Sequence, residues 1–218
     1  MSGGIEATFQ TSIVGRTWLT PRTFFLALER PQGFVFTPGQ SISVGMGRHL
    51  RDYSIMSGRD ENPLSLYVRL IPTGALSPAL ATATVGTSCT IEGPHGLFTW
   101  RESERAPVFV ATGTGVAPFV SMARTGARGF SLFHGVGSAD ELCCQAELRA
   151  AAAHYVPCLS RDARDGAFPG RVTSAALRLL PPGACDFYLC GGRAMIRDFT
   201  MLADERFPGS RVFMEVFH

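Results

Sequence analysis

A chain of 218 residues with 45% hydrophobic and 17% charged residues can bury the core of one large domain or two small ones, and this excludes a disordered chain. Its formal net charge of +2 is too small for nucleic acid or a membrane surface to be the main partner. No apolar run approaches a membrane span, and the start Met1-Ser2-Gly3-Gly4-Ile5 lacks the basic and apolar regions of a signal peptide, so a cytoplasmic protein is expected.

Residues 5–19 alternate polar and apolar side chains, and 23–28, after Thr20-Pro21, read as their hairpin partner. Pro38-Gly39-Gln40 turns the chain into a strand at 41–44. Further strands follow at 51–57 and, after Asn62-Pro63, at 64–70. Residues 75–83 read as a short helix and 88–92 as a last strand. Short strands between Gly and Pro turns predict an all-β six-stranded antiparallel Greek-key barrel. The charged break at 101–105 marks a boundary, giving domains at 1–104 and 105–218. Beyond it, strands at 107–111, 130–135, 154–160, 186–190 and 211–216 alternate with helices at 116–125, 139–152, 172–180 and 194–205. That alternation predicts an α/β doubly wound parallel sheet with helices on both faces.

The six cysteines, Cys89, Cys143, Cys144, Cys158, Cys185 and Cys190, show no C-x2-C pair and no iron–sulfur spacing. This argues against a structural zinc or a cluster and for a chain kept reduced in the cytosol. Adjacent Cys143 and Cys144 fall in the helical pattern and read as packing. All 20 Lys and Arg positions hold Arg, which we read mainly as codon bias, although a guanidinium also suits phosphate oxygens.

Five short stretches carry chemistry. Arg51-Asp52-Tyr53-Ser54 puts a cation, a ring and a hydroxyl on one strand, enough to clamp an anion and pack against a flat ring. By itself it is equally a solvated strand. Gly74-Ala75-Leu76-Ser77 opens the short helix, either as an anion loop or as a turn with Ser77 as N-cap before Pro78. Gly113-Thr114-Gly115-Val116-Ala117-Pro118 joins the first strand and helix of the second domain, where glycines let backbone approach a diphosphate. It is not a Rossmann fingerprint, because Pro118 holds the third glycine position. Cys190-Gly191-Gly192 ends a strand, with Met195 close behind. The chain ends in Glu215-Val216-Phe217-His218.

With Gly93-Pro94-His95-Gly96-Leu97-Phe98, these stretches resemble in order the ferredoxin–NADP reductase family, specifically its short bacterial type, over nearly the whole chain. The resemblance implies a flavin and a nicotinamide nucleotide. Arg51 would meet the flavin diphosphate, Tyr53 would pack on the ring system, and Ser54 would lie near the flavin N5. The backbone around Val68 and Leu70, with Arg69 between them, and the loop of Gly74, Ala75, Leu76 and Ser77, would complete an FAD site. Related reductases with FMN share the Arg-x-Tyr-Ser pattern. Thr112, Gly113, Thr114, Gly115 and Pro118 would contact the nucleotides at the domain junction. Ser160, Arg161 and Arg171 end or follow the third strand of that domain, where Arg suits a 2′-phosphate, and so favour NADP over NAD. Asp162 and Arg164 nearby blur that choice. Cys190, Gly191 and Met195 would lie beside the nicotinamide, with Cys190 a soft packing surface rather than a covalent nucleophile.

Phe217 would stack on the isoalloxazine where plant-type members carry Tyr, with His218 as an extra residue nearer the adenine side. Glu215 would orient the nicotinamide or pass a proton, so Ser54, Cys190 and Glu215 form the expected catalytic set. His95 reads as a solvated loop residue, and His49, His134 and His154 lack a catalytic partner set. The implied activity is hydride transfer from NADPH to flavin N5 and release of single electrons to a carrier protein, a ferredoxin or flavodoxin. The alternatives are an NADH-dependent reductase component of an oxygenase system, a reductase of free flavin, a non-enzymatic flavin-binding electron-transfer subunit, and a structural partner with an empty barrel.

Overall fold

The computed structural model describes residues 7–217, the side chain of Phe217 excepted. Its first half is a six-stranded antiparallel sheet: β1 (Thr8–Thr20), β2 (Thr23–Leu28), β3 (Ser41–Met46), β4 (His49–Ser54), β5 (Leu64–Arg69) and β6 (Ser88–His95), in the spatial order β4-β3-β6-β1-β2-β5. The 13-residue β1 serves two neighbours. Its start pairs with β6 and its end with β2, and the register shifts between Ile13 and Gly15 where the strand turns the corner. The two end strands meet through an antiparallel bridge between Ile55 and Leu66, beside which Met56 N donates to Ser65 O over 2.8 Å. The sheet therefore curls back on itself with Greek-key connections, as the sequence predicts.

Period-two alternation explains the filling. Phe24, Leu26 and Leu28 of β2 and Leu64, Leu66 and Val68 of β5 all point inward and are fully buried. Each such side chain contributes about 1.5–3 kcal/mol. The helix α1 (Leu76–Thr82) covers one end through Leu76 and Leu80.

The second half is a six-stranded parallel sheet: β7 (Ala106–Thr112), β8 (Ser131–Val136), β9 (His154–Leu159), β10 (Phe168–Pro169), β11 (Cys185–Gly192) and β12 (Arg211–Phe217), in the order β10-β9-β8-β7-β11-β12. The helices α2 (Ala117–Arg124) and α3 (Gln145–Ala151) pack on one face; α4 (Val172–Leu179) and α5 (Arg193–Arg206) pack on the other. The strand order reverses beside β7, so the carboxyl ends of β7, β8 and β11 open a crevice there. Among the described residues no helix is long and apolar enough to cross a membrane.

The two halves share one core. Met56, Tyr67 and Phe98 of the first sit in the same cluster as Phe109, Phe119 and Tyr188 of the second. Phe98 stands edge-on to Phe119 and Tyr188, with ring centroids 5.7 and 6.0 Å apart. Buried Ser121 donates to the carbonyl of Ser57 over 2.7 Å, and Arg124 reaches Glu61 at 3.3 Å and Glu147 at 2.7 Å. These contacts hold the barrel in one pose against the sheet.

Three expectations change. The helix predicted at 139–152 is a 3-10 turn at 139–141, a break, and then α3. Cys144 at the break takes φ 52°, the left-handed region, so Cys143 and Cys144 precede the helix rather than lie in it. Cys143 is buried in the core and packs as expected. The two-residue β10 is an addition, and β6 runs on to His95.

Candidate active site

Two clefts open at the seam. The first, of about 620 Å³, lies between β4, the loop from Arg69 to Ser77, and the carboxyl ends of β7 and β11. Arg51, Tyr53 and Ser54 line its barrel wall, and Thr112, Gly113, Thr114, Gly115, Gly191 and Gly192 line the opposite wall. The second, of about 440 Å³, runs along the carboxyl edge of the parallel sheet past Gly137, Glu141, Ser160, Arg161, Arg171 and Met195. Both volumes suit an elongated organic ligand. Arg69, Thr112 and Gly113 line both, so the clefts meet.

Ser54, the last residue of β4, is 4% exposed and donates to Glu215 Oε2 over 2.7 Å. Cys190 pairs in register with Glu215 on the neighbouring strand, and its Sγ lies 3.9 Å from the same oxygen. Burial pushes the Glu215 carboxyl above the usual carboxylate range, and the hydrogen bonds from Ser54 and Cys190 pull it part of the way back. Burial first, and the Glu215 charge second, push the Cys190 thiol well up, so the thiol stays protonated and is a poor nucleophile at neutral pH. The structure thus brings the three residues of the expected catalytic set together across the seam.

On β4, Tyr53 is half-buried, and burial pushes its phenol up to about 12 against the pull of Arg51. Asp52 accepts a short hydrogen bond from Ser43, its cross-strand partner, and the His95 ring lies 3.1 Å from the same Ser43 hydroxyl. His95 is therefore the end of a strand within a polar cluster, not a solvated loop residue. Arg51 is exposed at the cleft, with one guanidinium nitrogen on the Leu50 carbonyl at 2.8 Å, which leaves donors for an anion.

Ser77 does not cap its helix. The residue before α1 is Ala75, which makes no side-chain cap, and the Ser77 hydroxyl accepts from Ile71 N at 3.0 Å. It closes the loop from inside. Val68 faces the barrel core and Leu70 packs against it, so neither side chain lines the cleft; Arg69 and Ile71 do. Pro118 is buried in the first turn of α2. The glycine stretch at 113–116 is a 3-10 turn leading directly into α2. A Cβ at Gly115 would strike the Cys190 carbonyl, so glycine there lets β7 and β11 end side by side. His218 and the Phe217 side chain lie outside what is described.

In the second cleft, Arg161 lies at 2.9 Å from Glu141. Ser160 donates its hydroxyl to Val136 O over 3.3 Å. Arg171 is exposed at the residue before α4. Sequence reasoning passed over Gly137 and Glu141. The Ser138-x-x-Glu141 spacing of a capping box at a strand end was the available signal, and both of its hydrogen bonds are present.

The family described as "Oxidoreductase FAD-binding domain" matches residues 19–100, and that described as "Oxidoreductase NAD-binding domain" matches 109–200. The chain belongs to the ferredoxin reductase family. The barrel is the family's FAD-binding domain and the parallel sheet its nicotinamide-nucleotide domain.

The chain is 31% identical over 209 residues to the toluate 1,2-dioxygenase electron transfer component of Pseudomonas putida, covering 88% of this chain and 62% of that protein. It is 37% identical over 134 residues to ferredoxin–NADP reductase B of Sorangium cellulosum, covering 58% and 55%. The chain thus spans only 55% to 62% of the length of these relatives. Among solved structures it resembles the cytochrome P450 reductase of Amycolatopsis, with a TM-score of 0.85 and 25% identity over 97% of this chain and 71% of that one. The fold is also that of a Neisseria gonorrhoeae ferredoxin NADP+ reductase, with a TM-score of 0.82 and 24% identity over 96% and 98%.

Proposed function

We propose that this chain is a flavoenzyme that moves electrons between NADPH and a one-electron carrier protein, a ferredoxin or flavodoxin. The observation that carries the reading is the shared wall of the two clefts at Thr112 and Gly113, with Ser54, Glu215 and Cys190 gathered at the same seam. A flavin in the first cleft and a nicotinamide nucleotide in the second would meet there.

The donor set of the first cleft fits FAD. Arg51 offers unused guanidinium donors for a diphosphate, and Tyr53 offers an aromatic face beside them. The turn at 113–116 brings backbone close to a phosphate without side chains in the way. Bound there, FAD supplies the conversion between a hydride pair and single electrons. Ser54 and Glu215 share a hydrogen bond at the seam, and the raising of the Glu215 carboxyl by burial favours its holding a proton there. Cys190 is fully buried with its protonated thiol on Glu215, so its contribution at the seam runs through that carboxyl. The side chains of Val68 and Leu70 pack in the barrel core, which leaves the backbone around them as their contact with the ligand. Arg171, exposed in the second cleft beside the Arg161–Glu141 pair, favours a 2′-phosphate there. We place the domain boundary at 104/105, between β6 and β7, and the protein in the cytoplasm, on the six cysteines held as thiols.

A second reading is an NADH-dependent reductase component of an oxygenase system, favoured by the likeness to the toluate 1,2-dioxygenase electron transfer component. Steady-state rates with each nucleotide, using a ferredoxin and then free flavin as acceptor, separate the two. The first reading requires NADPH with a protein carrier to give the highest kcat/KM; a clear preference for NADH would support the second.

A further inference from the structure

Arg161 does not project freely into the second cleft. Its guanidinium lies over Gly137, where any Cβ would collide with it, and its backbone N–H donates to the Gly137 carbonyl at 2.9 Å. One terminal nitrogen donates to Glu141 Oε1 at 2.9 Å. That same oxygen accepts from the Ser138 N–H and hydroxyl, each at 3.1 Å, so the carboxylate is fixed by the turn after β8 and is no mobile counter-ion. Gly137, Glu141, Arg161 and Arg171 all line the one cleft. Among the described residues Arg171 makes no ion pair.

We propose that Glu141 is a specificity-determining residue: its carboxylate neutralises Arg161 and so holds down the preference for nucleotides that carry a 2′-phosphate. This rests on the reading of the second cleft as a nicotinamide-nucleotide site. A 2′-phosphate reaching Arg161 meets a guanidinium already shared with a carboxylate, and the negative charge of Glu141 repels it at short range. A free ribose 2′-hydroxyl meets the opposite situation, because a carboxylate is its natural acceptor. Arg171 is left as the main cation for the phosphate. The pair therefore leaves the cleft open to both nucleotides, although two arginines line it.

The test is calorimetric binding of 2′,5′-ADP and 5′-AMP, which differ at the 2′ position, to the purified full chain. Glu141→Gln keeps an amide oxygen for the capping box and removes only the charge. It is expected to bind 2′,5′-ADP roughly fivefold to tenfold more tightly, with 5′-AMP unchanged or weaker. Adding Arg161→Ala should abolish that gain. In the otherwise native chain, Arg171→Ala should weaken 2′,5′-ADP more than Arg161→Ala does, a comparison that needs no change at Glu141. Equal effects of Glu141→Gln on both probes, a gain that survives Arg161→Ala, or a larger loss from Arg161→Ala than from Arg171→Ala would each overturn the proposal while leaving the nucleotide cleft intact. Failure of the native chain to bind either probe would overturn the nucleotide reading and this proposal with it.

Discussion

The Ser54 hydroxyl donates to Glu215 Oε2 over 2.7 Å and thereby joins β4 of the barrel to β12 of the parallel sheet, 161 residues apart. Glu215 is buried, and that hydrogen bond is one of the few influences lowering its raised pKa. Ser54→Ala should push the carboxyl further up, because the charged form loses a donor. Flavin reduction by NADPH, followed anaerobically by stopped flow, should slow roughly tenfold to a hundredfold. The pH midpoint of the rate should move upward. An unmoved midpoint with an unchanged rate would show that the pair is only a strut between the domains.

Arg51→Ala removes the one exposed guanidinium on β4 and touches no core residue. A charge-assisted hydrogen bond is worth about 1.5–3 kcal/mol, so the FAD dissociation constant should rise roughly tenfold to a hundredfold. Quenching of FAD fluorescence on titration into the apoprotein measures it. The melting temperature of the apoprotein should stay where it is.

Much of this was legible in the residues themselves. Apolar runs such as Val108-Phe109-Val110 and the glycines that follow them fixed both the parallel sheet and the turn at its carboxyl edge. Period two was also enough to read β5 correctly. Leu64, Leu66 and Val68 face inward, so Arg69 faces the cleft, while the expected contact of Val68 and Leu70 was one of backbone rather than side chain. What local pattern could not give was pairing across the chain. Asp52 finds Ser43 and Glu141 finds Arg161 only once strands are in register and loops are closed. The break before α3 was hidden for another reason. Residues 139–152 have an unbroken helix-forming composition, and the interruption comes from a capping box at Ser138 and a left-handed Cys144.

Ser121 and Ser57 are both fully buried at the seam, and the hydroxyl of one holds the carbonyl of the other at 2.7 Å. Ser121→Ala leaves a buried acceptor without its partner and should cost about 1–3 kcal/mol. Denaturant unfolding measures it. A loss of cooperativity along with stability would show that the two halves rely on this contact to unfold together.

His134 is fully buried, with Nδ1 against the Tyr155 hydroxyl at 2.9 Å, and Nε2 has no protein partner. Burial lowers its pKa from 6.5 to about 4. The folded value is depressed, so the unfolded chain binds the extra proton first, and stability falls as pH drops from 6.5 towards 4. The loss over that window is about 3 kcal/mol for this group. His134→Gln keeps a hydrogen-bonding side chain but cannot titrate. Its melting temperature should be markedly flatter between pH 6.5 and 4 than that of the native chain; parallel curves would mean that His134 does not titrate in this window.

In the proposed function a flavin and a nicotinamide nucleotide meet at Ser54, Glu215 and Cys190. An anaerobic titration of the FAD-reconstituted protein with NADPH, followed in the visible flavin band, tests it most directly. FAD should be retained through gel filtration, and its absorbance should bleach at close to one equivalent of NADPH. A protein that retains no FAD, or whose flavin stays oxidised with both NADPH and NADH, would contradict it.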